Sequence, residues 1–115
     1  MKGSTIFDRI LAGEAPADIV FENEDVLAFR DVNPQAPVHV LVIPKRRIGR
    51  FEEMSGRGPA ETGRFFLGVI EVVRRLELPE DGYRLVINSG KNGQQSVDYL
   101  HAHVLGGRQM TWPPG

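Results

Sequence analysis

The apolar positions follow two periods along the chain. Ile6, Ile10 and Leu11 recur at helical spacing behind Ser4 and Thr5, either of which can cap a helix, and Gly13 supplies a stop. The segment "DIVFENEDVLAFRD" reads as two short apolar runs around the polar turn Glu22-Asn23-Glu24-Asp25, a hairpin pattern. After the break "NPQAP", the run "VHVLVIP" resumes the strand rhythm and ends at Pro44, which cannot donate to a ladder. From Pro59, suited to the first turn of a helix, Phe66, Val69, Ile70, Val73 and Leu76 mark the apolar stripe of a main helix stopped by Pro79. The segment "MSGRGPAETG", Met54 to Gly63, reads as a loop within the domain. "YRLVIN" is a fourth strand, "SGKNGQQS" a polar loop and "YLHAHVL" a fifth strand. The pattern predicts an α+β fold: a mainly antiparallel five-stranded sheet with one main helix and a short N-terminal helix, the helices on one face.

Composition narrows this further. A chain of 115 residues is one ordinary domain, 1–115, with apolar residues enough for a single core. A formal charge of −1 leaves no basic field for nucleic acid. The lack of cysteine removes disulfides, thiolate nucleophiles and Cys-based zinc, and fits a reducing compartment. The opening "MKGSTIFDRILAG" has no long apolar run, and no segment approaches the roughly 20 apolar residues of a membrane span. The expectation is a cytoplasmic protein with no membrane partner.

The stretch "YLHAHVLGGR" carries two of the three histidines. Strand alternation puts Tyr99, His101, His103 and Leu105 on one face and Leu100, Ala102 and Val104 on the other. On the third strand His39 shares a face with Leu41 and Ile43. Such a pair of imidazoles can be a hydrogen-bonded pair at a sheet edge, a zinc or copper site completed by His39, or the machinery of phosphoryl transfer. Against the metal, parity turns the nearest carboxylate, Asp98, to the opposite face. Phosphoryl transfer accounts for more of the surroundings. The loop from Asn88 to Ser96, "NSGKNGQQS", holds no acid, one lysine, two glycines, and amide and hydroxyl donors suited to an anion. Ser96 is its residue most able to pass a proton to a leaving group. Asp31 can accept from both hydroxyls of a ribose or cap a turn, and Phe7, Ile10, Phe29 and Val32 can wall a base pocket or be plain core. "KRR" at Lys45 to Arg47 reads as a solvated strand end. The closing "GGRQMTWPPG", with Trp112, is too stiff and apolar for a loose tail.

Through "DVNPQAPVHVLVIPK", "GYRLVINSG", "GQQSV" and "HAHVLGGRQMTWPPG", the chain resembles the histidine triad family, in its nucleotide-binding protein branch. The resemblance implies a homodimer that joins two sheets into one, and cofactor-free, metal-free hydrolysis of purine nucleoside phosphoramidates such as AMP-amine conjugates. The implied ligand is an AMP- or GMP-like purine nucleotide. By motif position His101 matches the nucleophile that becomes nucleotidylated, His103 the phosphate-contacting histidine and His39 the additional histidine of the third strand. Asn88 and Ser96 match phosphate-side and leaving-group contacts, Gln94 and Gln95 belong to the nucleotide loop, Asp31 matches the ribose acid, and Phe7, Ile10, Phe29 and Val32 match the base pocket. Trp112 lies in a tail that resembles the branch's substrate-selecting C terminus.

Three departures accompany the match. Tyr99 stands where the first histidine of His-x-His-x-His belongs. A role served by that residue's backbone carbonyl survives the change, whereas a role served by its imidazole passes to a phenol of much higher pKa. The rival to the enzyme is therefore a nucleotide-binding module with little catalysis, followed by a His-based metal site. Thr5, Asp8 and Arg47 occupy positions that carry a structural zinc in some relatives, so none is expected. Gln94 replaces a glycine of the loop and is expected to narrow the phosphate approach.

Overall fold

The computed structural model describes residues 3–115. Helix α1 (Ile6–Leu11) begins at Thr5, not Ser4. The Thr5 hydroxyl accepts from the Asp8 amide while the Asp8 carboxylate accepts from the Thr5 N–H at 2.7 Å, a closed capping box. Strands β1 (Ile19–Glu22) and β2 (Val26–Arg30) form the expected hairpin. Its turn is held by Asn23, whose side-chain oxygen accepts from the Asp25 and Val26 amides at 2.8 and 2.9 Å. Then come β3 (Val38–Pro44), helix α2 (Gly58–Arg75), β4 (Tyr83–Ile87) and β5 (Ala102–Gly106). All neighbours are antiparallel in the order β1-β2-β3-β5-β4, so β5 inserts between β3 and β4.

Both faces of the sheet are covered, which corrects the expectation of helices on one side. Val26, Ala28, Val40, Val42, Ala102 and Val104 pack with Phe65, Val69, Val72 and Val73 of α2. On the other face Leu27, Phe29, Leu41, Ile43 and Tyr99 pack around Phe7 of α1. This is why "VLAF" and "VHVLVIP" are almost continuously apolar. Leu100 joins the α2 side and Tyr99 the α1 side, so the alternation read from the sequence holds ahead of Ala102, where the strand proper begins.

The stripe of α2 is rotated from the expected one. Phe65, Gly68, Val69, Val72 and Val73 are buried, Phe66 and Leu76 are half-buried, and Ile70 is 45% exposed. Gly68 lies at its centre, and hydropathy does not register a glycine as an apolar contact. The segment Met54 to Gly63 is not a loop: a 3-10 turn, Phe51–Arg57, runs straight into α2 and buries Met54.

The "KRR" strand end is paired rather than merely solvated. Lys45 meets Glu22 at 2.6 Å and Arg46 meets Glu61 at 2.5 Å. Arg47 approaches Asp8 at 3.2 Å, donates to the carbonyls of Gly3 and Asp98, and lies 5.7 Å from the centre of the Tyr99 ring. Thr5, Asp8 and Arg47 thus meet as a hydrogen-bonded ion cluster tying α1 to the end of β3. Among the described residues no helix is long and apolar enough to cross a membrane.

A Cβ placed on Gly68 would lie 2.8 Å from both γ-methyls of fully buried Val26. Gly68→Val should therefore destabilise the fold by about 2 kcal/mol or more and lower the Tm by roughly 8 °C. Gly63→Ala in the same helix, with open space around it, should instead gain up to about 1 kcal/mol. Thermal denaturation of both variants checks the close approach of α2 to β2; a harmless Gly68→Val would contradict it.

Candidate active site

His101 sits just ahead of β5, 3% exposed, with its ring edge-on to Phe7 at 5.0 Å between centres. Its Nδ1 lies 2.7 Å from the Tyr99 carbonyl oxygen. A carbonyl only accepts, so Nδ1 carries the proton and the lone pair of the neutral ring is on Nε2, which has no partner among the described residues. Burial holds the His101 pKa below the usual histidine value, opposed by the Tyr99 carbonyl and by Asp31. The ring is a neutral base with its free nitrogen defined by one backbone oxygen.

The side chain of Tyr99 is occupied elsewhere. It is fully buried against Phe7, and its hydroxyl donates to the Pro44 carbonyl. Burial and, next, the charge of Asp8 push the phenol pKa up, so it stays protonated and holds that bond. Of the roles open to the first triad position, the carbonyl one is present.

The other two histidines form a chain whose proton positions follow from a second backbone group. The Gln35 amide donates to His39 Nδ1 at 3.0 Å, which leaves the proton of neutral His39 on Nε2. That nitrogen is 2.9 Å from His103 Nδ1 and 3.4 Å from an Asp31 carboxylate oxygen, both acceptors. His103 then carries its proton on Nε2, a buried nitrogen with no hydrogen-bond partner. Burial first, then the neighbouring His101 and His39, lower the His103 pKa to about 4; burial also lowers that of His39, against the pull of Asp31. A buried N–H without an acceptor is rare, and a ligand oxygen would satisfy it.

Strand register brings these groups together. Leu41 pairs with His103 and His39 with Leu105, so His39 and His103 are diagonal neighbours on one face. The Asp31 amide donates to the His39 carbonyl at 2.9 Å, carrying the β2–β3 ladder one residue past Arg30 and placing the carboxylate beside His39. Asp31 also accepts from the Asn33 amide at 2.8 Å, so it caps a turn as well as facing the site.

Asp31, His39 and His103 bring three donor atoms within 4.8 Å of one another. The carboxylate near the histidines is thus Asp31, not Asp98, and His101 is outside the group. Its spacing suits a metal, but its protonation does not: a cation needs a lone pair on His39 Nε2, and the Gln35 amide holds the proton there.

A cavity of about 400 Å³ opens beside these rings. Of the residues singled out in the sequence, His101, His103, Asp31, Ser96, Phe7, Ile10, Phe29 and Val32 line it. Phe7 and Phe29 are buried in its floor, Val32 is fully exposed at its rim, and Ser96 is an exposed hydroxyl at its edge. Ile6, Ala15, Pro16, Ala17, Leu41 and Val97 complete the apolar wall and were missed, as was Arg30. Parity with His39 could have found Leu41; nothing in "APA" signals a binding wall.

Asn88, Gln94 and Gln95 do not line the cavity. Asn88 follows β4 and, by continuation of the Ile87–Ala102 register, lies opposite His101 without lining the cavity. Gln94 is exposed with φ of 58°, a left-handed conformation that ordinarily favours glycine. The Gln95 amide is committed within the protein: its oxygen accepts from the Gly90 amide at 2.9 Å, and its nitrogen donates to the Gly49 and Val97 carbonyls. It holds the loop that carries Ser96. Trp112 is 81% exposed, 6.0 Å from the Arg84 guanidinium and away from the cavity.

The chain is similar to known proteins over most of its length. The chain is 52% identical over 116 residues to a 14 kDa zinc-binding protein of Zea mays, covering 96% of this chain and 88% of that one. It is 48% identical over 117 residues to the adenylylsulfatase HINT1 of Arabidopsis thaliana, covering 96% and 76%. A crystal structure of a HIT family hydrolase from Legionella pneumophila superposes with a TM-score of 0.90 at 43% identity, covering 97% and 100%. Residues 12–110 match the HIT domain, and the chain belongs to the HIT family.

Proposed function

We propose that the protein is a cytoplasmic, cofactor-free hydrolase of purine nucleoside phosphoramidates, acting through a nucleotide held covalently on His101. The observation that carries this reading is the hydrogen bond from His101 Nδ1 to the Tyr99 carbonyl, which leaves a neutral lone pair on Nε2 at the wall of the cavity. The Arabidopsis thaliana relative's name, adenylylsulfatase, supports an adenylyl-bearing substrate.

The base lies on the apolar surface formed by Phe7, Phe29 and Ile10, the ribose hydroxyls donate to Asp31, and the phosphate oxygens accept from His103 Nε2–H. Ser96 stands on the phosphate side, and Asn88 lies opposite His101 on the neighbouring strand. His101 Nε2 attacks phosphorus, the P–N bond to the amine breaks, and the departing nitrogen keeps the electron pair and takes a proton delivered through Ser96. Water then attacks phosphorus from the vacated side and gives up its proton through Ser96, restoring the one passed to the amine, while the P–Nε2 bond breaks and its electron pair returns to His101. The products are an amine, a nucleoside monophosphate and the original neutral imidazole. Occupation of the first triad position by its carbonyl supports catalysis over a binding-only module, because Tyr99 supplies that carbonyl as well as histidine would.

The homodimer implied by the resemblance has a candidate surface. Strand β4 is a sheet edge, and its Tyr83 and Leu85 are 46% and 41% exposed on the face that α2 covers, where Ile70 is also exposed. Pairing two such edges would continue the sheet across the dimer.

His101→Ala should lower amine release from an adenosine phosphoramidate by at least about 10⁴-fold while AMP binding by calorimetry persists. Turnover near that of the wild type would refute the covalent route. Light scattering should give twice the chain mass for the wild type and the chain mass for Leu85→Arg; an unaltered dimer in the variant would move the interface elsewhere.

A further inference from the structure

The C-terminal segment reaches the histidines through a residue that has no part in the scheme above. Gly107 turns the chain with φ of 88°, packed so closely that a Cβ there would lie 2.9 Å from Pro37. That turn delivers Arg108 to the loop between β2 and β3. Its Nε and Nη2 both donate to the Gln35 carbonyl oxygen, at 3.2 and 3.1 Å, and Nη1 donates to the carbonyl of Gln109. The same Gln35 donates its N–H to His39 Nδ1. From there the chain continues through His39 Nε2–H and His103 Nδ1 to the free Nε2–H of His103.

We infer that Arg108 is a positioning residue for the site: by gripping the Gln35 carbonyl it holds the amide that fixes the His39 proton, and so keeps the His103 donor turned toward the phosphate. Two N–H groups on one oxygen define an orientation, which a single contact does not. Gln35 is exposed between Pro34 and buried Ala36, and its own side chain donates only to the nearby Asn33 carbonyl at 3.1 Å, so the guanidinium is the one side chain from outside this loop that holds its carbonyl among the described residues. Without the guanidinium, residue 35 is free to tilt and the His39 ring to turn. His103 then loses its fixed tautomer, and the N–H toward the phosphate is present only part of the time.

The inference rests on the proposed reaction only for its kinetic arm; the tautomer itself is read independently. Long-range proton–nitrogen correlation of ¹⁵N-labelled protein near neutral pH should show His103 protonated at Nε2 and bare at Nδ1. Arg108→Ala should move both His103 nitrogen shifts toward a mixed state and lower kcat for the phosphoramidate about fivefold, with KM changed less. Arg108→Lys, which keeps one donor on the carbonyl, should fall between. Unchanged His103 shifts in Arg108→Ala overturn the inference, whatever kcat does. Should the wild type prove inactive on phosphoramidates, the proposed function fails while the shifts still decide the role of Arg108.

Discussion

A single hydrogen bond, from the His101 ring to the backbone oxygen of Tyr99, sets what the site can do. It turns an imidazole with two equivalent possibilities into a directed one, with the proton toward the protein and the lone pair away from it. Because the acceptor is a carbonyl, the direction does not depend on the identity of residue 99. The Gln35 amide imposes the opposite choice on His39, and through it His103 presents a proton where His101 presents a lone pair. One backbone oxygen and one backbone N–H thus leave one imidazole with an outward lone pair and another with an unpaired N–H. Burial maintains both states by lowering all three pKa values, so the rings stay neutral near pH 7.

The fold exists, in this sense, to hold three rings and two peptide groups in register. β5 lies between β3 and β4, so the ladder to β3 places His39 diagonally across from His103, and the ladder to β4 carries Asn88 opposite His101. The α2 side of the sheet is a conventional apolar core. The α1 side is built differently: Phe7 and Tyr99 close the floor beneath His101, and the capping box with the Arg47 cluster pins α1 in place. Exposed ion pairs of that kind contribute little each, about 1 kcal/mol or less, and here they act chiefly by fixing the approach of the helix.

Much of this was legible in the residues because alternation and helical spacing are strict rules. The five strands, both helices, the Asn23 turn and the shared face of the histidines follow from them, whereas Asp31 and the base-pocket residues come from the family resemblance and by spacing alone read as a turn cap or plain core. What escaped has physical reasons. The phase of α2 depends on Gly68, whose missing side chain permits a contact that no hydropathy scale records. The second helix-covered face rests on Phe7, one residue in a six-residue helix. Gln95 is chemically suited to a ligand but spends its amide on backbone groups within the loop. The Gln35 amide and the Tyr99 carbonyl are main-chain atoms present at every position, and only the three-dimensional arrangement distinguishes them.

Replacing the histidine of the first triad position by tyrosine leaves the chemistry intact if the carbonyl is the working atom, and the phenol is then a packing group with a single internal bond to Pro44. The most direct measurement is the rate of amine release from an adenosine phosphoramidate by Tyr99→Phe beside the wild type, with the melting temperature of each. The account predicts an active wild type and a kcat for the variant within about threefold of it, with stability lowered by about 1 kcal/mol. A fall in kcat of about 10²-fold or more in a folded variant would show the phenol to be a working acid or base, and would contradict the assignment of that role to the backbone.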